Sequence, residues 1–400
     1  MAKLAERTQR ISGSSTQAVT TLVDRLRRSG VDVIDFGAGE PDFPTVEAAK
    51  VAAHAAIDAN FTKYTPNAGA ADLKRAICDR YRADYGVEFR ESDVIVTAGG
   101  KQALYNTALA LFGPGDEVIT HAPYWPTIPE QIKLADATPI AVETLASDGF
   151  AIRAGSILDR VTERTRGIVV NSPCNPTGAV ISEQEFEAIA DFCGRRDLWL
   201  IVDLTYDKLI YDPAPHNLPG ILMRKCRDVG VICGSASKAY AMTGWRCGWA
   251  VGPEALIAAS SALQSHATSN ASSITQKAVL AALSGSQEPV RVMLDEYRIR
   301  RDRLYEWLTA DPRLKCQKPG GAFYMFVDVS EVLTAAGLES STAFAEALLQ
   351  QARVALTPGE GFGAPGFVRI SYATSMENLR EGSRRMLEFV RARTSAPAAR

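Results

Sequence analysis

The feature that most constrains this chain is a repeated exchange between two hydrophobic periods. Short runs rich in Val and Ile, at Asp93–Thr97, Glu117–Thr120, Gly167–Asn171, Leu198–Asp203 and Val229–Cys233, carry no alternating polar face. A strand covered by helices on both sides reads as such a continuous apolar run. Between these runs lie segments with helical spacing, among them Gln102–Leu111 and Glu183–Arg195, the second opened by Ser182-x-x-Glu185, a helix start signal. Strand and helix in alternation point to an α/β fold with a mostly parallel central sheet flanked by helices. Towards the C-terminus the pattern changes. A long charged helix is predicted from about Glu288 to Leu308, then a Pro319-Gly320-Gly321 turn and an alternating strand, Ala322–Val329. A helix, a second alternating strand (Phe367–Tyr372) and a closing helix follow, which reads as a separate, smaller α/β domain. The stretch from Thr394 to Arg400 is expected to fray.

Charge and cysteine content narrow the function classes. Lys and Arg number 44 against 46 Asp and Glu, a formal net charge of −2, so nothing in the balance attracts nucleic acid or an anionic membrane. No run of about 18 apolar residues is present, and Met1 to Gly13 is too polar for a secretory signal. Seven scattered cysteines without a CxxC pair fit reduced thiols, and a cytoplasmic location is expected. The four histidines stand far apart in sequence and suggest no metal site.

The chemistry-bearing residues sit at the ends of predicted strands, where open α/β sheets place ligands. Val229–Cys233 runs into Gly234-Ser235-Ala236-Ser237-Lys238, with Arg246 eight residues on. A lysine there loses hydration, which lowers its pKa and frees the amine to attack an aldehyde; Ser235, Ser237 and Arg246 can hold a phosphate beside it. Taken alone, Lys238 is an ordinary loop lysine. Leu198–Asp203 ends in an acid, with Tyr206 three residues later. Asp203 can keep a pyridine nitrogen protonated and Tyr206 can hydrogen-bond the ring's 3-oxygen, although an aspartate there also suits a helix N-cap. Asn171-Ser172-Pro173-Cys174-Asn175-Pro176-Thr177-Gly178 is a good turn sequence, in which Asn175 can also reach the 3-oxygen. Gly99 and Gly100 precede a predicted helix, so backbone N–H groups can approach a phosphate, or simply make a tight turn.

Together these residues resemble the class I/II aminotransferases, fold-type I enzymes dependent on pyridoxal 5′-phosphate (PLP). Ser235-Ala236-Ser237-Lys238 with Arg246, Asp203-x-x-Tyr206 and Asn175-Pro176-Thr177-Gly178 follow the family's order and approximate spacing. Gly39-Glu40-Pro41-Asp42-Phe43, Tyr64-Thr65-Pro66 and Pro123-Tyr124-Trp125 match it as well, and the resemblance spans about Arg10 to Arg391. It implies a small domain built from residues 1–45 and 291–393, a large PLP-binding domain at 46–290 and a flexible tail at 394–400. It implies a Schiff base on Lys238, Trp125 stacked on the pyridine ring, and Tyr64 reaching the phosphate in a neighbouring subunit of a homodimer with shared active sites. Arg369, in the alternating strand, would grip the substrate α-carboxylate, flanked by Gly39 and Asn175. The implied reaction is a ping-pong transfer between an amino acid and a 2-oxo acid through a pyridoxamine phosphate form.

Ser14-Ser15-Thr16-Gln17-Ala18-Val19 and Gly99-Gly100-Lys101-Gln102 look like the bacterial aspartate and prephenate aminotransferase branch. There, residues matching Thr16 and Lys101 contact a distal carboxylate, so aspartate with 2-oxoglutarate is the expected pair. Two departures stand against a close match. Leu204-Thr205 replaces an acidic and an aliphatic residue, and Ser265–Ser273 holds no arginine. Prephenate, aromatic or other amino acids are the alternatives. A PLP-dependent C–S lyase or decarboxylase, or a non-catalytic PLP-binding module, would use the same scaffold.

Overall fold

The computed structural model describes residues 3–13, 15–211 and 216–395. Its thirteen strands in chain order are β1 (Ile34–Asp35), β2 (Val94–Thr97), β3 (Glu117–Ala122), β4 (Thr138–Glu143), β5 (Thr165–Asn171), β6 (Trp199–Asp203), β7 (Gly230–Ser235), β8 (Gly248–Val251), β9 (Lys315–Cys316), β10 (Tyr324–Asp328), β11 (Val354–Ala355), β12 (Thr357–Pro358) and β13 (Phe367–Ser371). Seven of them form one sheet in the order β2-β8-β7-β6-β5-β3-β4. Only β8 runs antiparallel to its neighbours; the other adjacent pairs are parallel.

Each central strand sends side chains alternately into two cores. Val94, Ile168, Val170, Leu200 and Ile232 join one hydrophobic cluster, while Ile95, Val169, Ile201 and Val231 join another on the opposite face. This is why the strands read as unbroken apolar runs, and each fully buried Val, Ile or Leu stabilises the sheet by about 1.5–3 kcal/mol. The helix Gly100–Leu111 packs on the second face through Ala103, Leu104 and Ala108. Glu183–Arg196 packs on the first through Phe186, Ile189, Ala190 and Cys193, and the Ser182 hydroxyl caps it by accepting the Glu185 N–H.

The C-terminal part holds a four-stranded antiparallel sheet, β12-β13-β10-β9. The long helix Glu288–Leu308 and the closing helix Met376–Ser395 cover it around Tyr297, Phe323, Val368, Ile370 and Met386. The N-terminal chain joins this part, since β1 pairs in parallel with β11 and Phe36 is hydrogen-bonded to both Ala355 and Ser371. That pairing delivers Gly37 and Gly39 to the carboxyl ends of the large sheet. Thr394 and Ser395 continue the closing helix, with the Thr394 hydroxyl donating to Val390 O. Apolar contacts made by Phe389 and Val390 in the preceding turn hold that end down. Residues 396–400 lie outside the described residues.

Candidate active site

Strands β5, β6 and β7 end side by side, at Asn171, Asp203 and Ser235. Asp203 is 2% exposed. Its Oδ1 accepts the Thr205 N–H at 3.1 Å and its Oδ2 accepts Asn171 Nδ2–H at 3.2 Å. Burial pushes its carboxyl pKa above the ordinary value, opposed by hydrogen bonds from Thr205 and the charge of Lys238. An isolated buried carboxylate is costly, so this group favours a cationic partner. Tyr206 is buried beside it, with its hydroxyl 2.8 Å from that of Tyr324. Burial raises the Tyr206 pKa far above its usual value, so both protons stay in place. One makes the mutual bond, and the other can be offered to an oxygen in the cavity.

Past β7 the chain makes a single helical turn, Ala236–Ala239. The Ser235 hydroxyl caps that turn, accepting the Ser237 N–H at 3.0 Å and lying 2.8 Å from Ser237 Oγ. Lys238 Nζ donates to Gly39 O at 2.5 Å and lies near the rings of Tyr206 and Phe323. Withdrawal from water lowers its pKa to about 8, against the pull of Glu40. An amine of that pKa is available as nucleophile and base near neutrality.

The glycines before the helix Gly100–Leu111 make room for a cation. Gly99 has φ +90°, and a Cβ on it would lie 2.5 Å from Arg246 Nη2. Arg246 thus lies flat against the backbone, while a Cβ on Gly100 would reach within 3.2 Å of Ser235 Cβ. The guanidinium, two serine hydroxyls and the unpaired N–H groups of a first helical turn converge here, a donor set that suits a phosphate. Lys101 Nζ sits 5.0 Å from the centre of the Trp125 ring. Burial, then the charge of Arg246, lowers its pKa.

Arg369 is 1% exposed, in β13 opposite Phe326. Its Nη1 donates to Asn175 Oδ1 and its Nη2 to Gly37 O, both at 2.9 Å, and the guanidinium stacks 4.2 Å from the Tyr324 ring centre. Its buried Nε has no hydrogen-bond partner. A buried guanidinium at a cavity wall is built for an anion.

These groups face one cavity of about 640 Å³, within the range of small-molecule and cofactor sites. Gly39, Lys101, Trp125, Asn175, Lys238, Arg246 and Arg369 line it together with the strand-end residues. Gly99 lies against Arg246 and is not among the lining residues. Tyr64 is outside the cavity and 90% exposed, and the side chain of Thr16 lies outside the described residues. Ten lining residues were not singled out by sequence as site residues, among them Asn171, Thr205, Tyr324 and Gly37. Asn171 ends a predicted strand, so its position offered a signal. Tyr324 meets Tyr206 across 118 residues, and no local pattern announces that.

The comparisons with known proteins agree with this geometry. The family model for aminotransferase class I and II matches residues 31–386. Aspartate aminotransferase of Geobacillus stearothermophilus is 41% identical over 391 residues, covering 98% of this chain and 100% of that protein. The aspartate/prephenate aminotransferase of Thermus thermophilus is 41% identical over 388 residues, covering 96% and 98%. A solved structure of Thermus thermophilus aspartate aminotransferase with maleate superposes with a TM-score of 0.92 at 40% identity, covering 97% of this chain and 100% of that one. The chain therefore belongs to the class I and II aminotransferases, PLP-dependent enzymes that move an amino group between an amino acid and a 2-oxo acid.

Proposed function

We propose that this aminotransferase takes aspartate as amino donor and 2-oxoglutarate as acceptor. The observation that carries the substrate is Lys101, whose ammonium lies over Trp125 in the wall of the cavity that also holds Arg369. Two separated cations in one cavity suit a dicarboxylic acid, one carboxylate each. The names of the relatives and the maleate in the Thermus structure, a dicarboxylate, support the same class. Prephenate is a second acceptor to test, because relatives from Thermus and Cereibacter carry it in their names.

When bound, PLP supplies an aldehyde for the incoming amine and a ring that withdraws electrons from the substrate α-carbon. The residues then divide the work. Ser235, Ser237, Arg246 and the N–H groups at Gly100 and Lys101 hold the phosphate. Asp203 would hold a proton on the ring nitrogen, a cationic partner that offsets the cost of its buried charge. Asn175 and Tyr206 hold the ring's 3-oxygen, and Trp125 covers one face. Arg369 orients the α-carboxylate, with Gly39 and Asn175 beside it. With PLP bound, Lys238 Nζ would serve as the base that takes up and hands on the proton of the substrate α-carbon.

The reading includes a homodimer. Tyr64 does not line its own chain's cavity and is almost wholly exposed, as suits a residue serving a partner's phosphate. It also includes the cytoplasm, since all seven cysteines are unpaired; among the described residues no helix is long and apolar enough to cross a membrane. The test is to mix PLP-loaded protein with L-aspartate alone and follow the absorption spectrum. One equivalent of oxaloacetate per site, reversed by 2-oxoglutarate, is expected. No reaction with aspartate but reaction with an aromatic amino acid would overturn the dicarboxylate reading, and continued turnover without an acceptor would point to a lyase.

A further inference from the structure

We propose that His121 is a positioning residue which, through Asn171, sets both the Asp203 carboxylate and the Arg369 clamp. The inference rests on the roles given above to Asp203 and Arg369. His121 is the last residue but one of β3 and is 1% exposed. Strands β3 and β5 pair in register only as far as Thr120 and Val169. Beyond that point no β3 carbonyl meets the next inward-facing N–H of β5, that of Asn171. The imidazole takes its place, with His121 Nε2 accepting the Asn171 N–H at 3.2 Å. With its Nε2 lone pair committed to the Asn171 N–H, the neutral ring carries its proton on Nδ1. Burial lowers the imidazole pKa to about 4, which keeps this neutral tautomer in place near neutrality.

Asn171 is the hub that this bond fixes. Its Nδ2 donates to Asp203 Oδ2 at 3.2 Å and its Oδ1 accepts the Asn175 N–H at 2.9 Å. Asn175 Oδ1 in turn accepts Arg369 Nη1 at 2.9 Å. One buried amide thus couples the ring-nitrogen partner to the carboxylate clamp, and His121 anchors it from outside the cavity. Buried networks of this kind hold site residues to tight tolerances, and a loose supporting bond is felt by the groups it supports.

Two conservative variants separate anchoring from space filling. In His121→Gln the side-chain carbonyl reaches the Nε2 position and still accepts the Asn171 N–H; in His121→Asn only the Nδ1 position is kept. PLP affinity of the apoprotein, kcat and KM for the amino donor, and the melting temperature are measured for both. His121→Gln should stay close to the unaltered protein, whereas His121→Asn should weaken PLP binding and lower kcat by about tenfold each, the effect of one unsatisfied buried donor. Equal behaviour of the two variants, the reverse order, or a change in melting temperature alone would overturn the inference. Should neither variant fold, ¹⁵N-histidine spectra of the unaltered protein decide. A neutral Nδ1–H tautomer whose Nε2 signal moves on PLP addition is expected, and the opposite tautomer or an unmoved signal sinks the idea. Asp203→Asn and Arg369→Lys serve as controls: if both leave activity intact the roles assigned above have failed, and if only the His121 pair fails to separate, those roles stand.

Discussion

At the scale of single residues, two positive charges set the conditions under which this enzyme works. Lys238, with its pKa lowered to about 8 by loss of hydration, is mostly protonated at neutrality and mostly free only above that pKa. The sign follows directly. A protonated amine cannot attack an aldehyde, so the rate at which PLP joins the apoprotein should climb with pH through about 8 and then level off. Mixing apoprotein with PLP across a pH series and timing the absorption change checks this; a rate still climbing steeply towards the ordinary lysine pKa would show that the amine is hydrated. Arg369 makes the second case. Its two Nη donors are engaged by Asn175 and Gly37 while Nε is unpartnered. Lysine keeps the charge but not the planar fork. Arg369→Lys should raise KM for aspartate by roughly 10- to 100-fold, one to two charge-assisted hydrogen bonds, while PLP affinity changes little. An unchanged KM would remove Arg369 from substrate binding.

At the scale of elements, the phosphate cradle depends on a strand-to-helix turn that only glycine makes. Gly99 combines φ +90° with an approach to Arg246 that leaves no room for a Cβ. Gly99→Ala should destabilise the fold by about 1–3 kcal/mol of backbone strain and displace Arg246. Titration should then show PLP held at least about tenfold more weakly, with pyridoxal, which lacks the phosphate, affected far less. Equal losses for both ligands would mean that the turn serves folding alone. Such turns were the legible part of the site. Lys238, Asp203 and the Gly99–Gly100 pair each lie within a few residues of an apolar run that is visibly a strand, and Arg246 follows from its spacing to Lys238. Strand alternation also put Arg369 on the face opposite Val368 and Ile370, but a period of two cannot say which face is covered. That answer came from Asn175, Gly37 and the Tyr324 and Phe362 rings, which pack against the guanidinium. Asn171 was visible as a strand end, yet its role as a hub depends on His121 from a different strand. Tyr324 and Gly37 were illegible for the same reason: they enter the site through pairings between distant parts of the chain.

At the scale of the whole molecule, the cavity has donors for the phosphate, the ring and both carboxylates, but Tyr64 contributes nothing to it within one chain. If Tyr64 of each subunit serves the other's phosphate, two crippled proteins can repair one another. Tyr64→Ala keeps a good lysine in a site that lacks the partner's tyrosine; Lys238→Ala keeps a good tyrosine beside a dead site. In a symmetric dimer of one copy of each, the Tyr64→Ala subunit supplies its own Lys238 and receives Tyr64 of the partner subunit, so one of the two sites is complete. The other lacks both groups. Equal amounts of the two variants, unfolded and refolded together, should give half hybrid dimers and recover about a quarter of the unaltered activity at limiting PLP. Each variant refolded alone should stay near its own low value. If Tyr64 served its own chain's cofactor, the hybrid would contain no complete site, and mixing would only average the two parents. Recovery above that average is therefore the direct signature of a site built from two chains, and its absence would leave each subunit's cavity functionally self-contained.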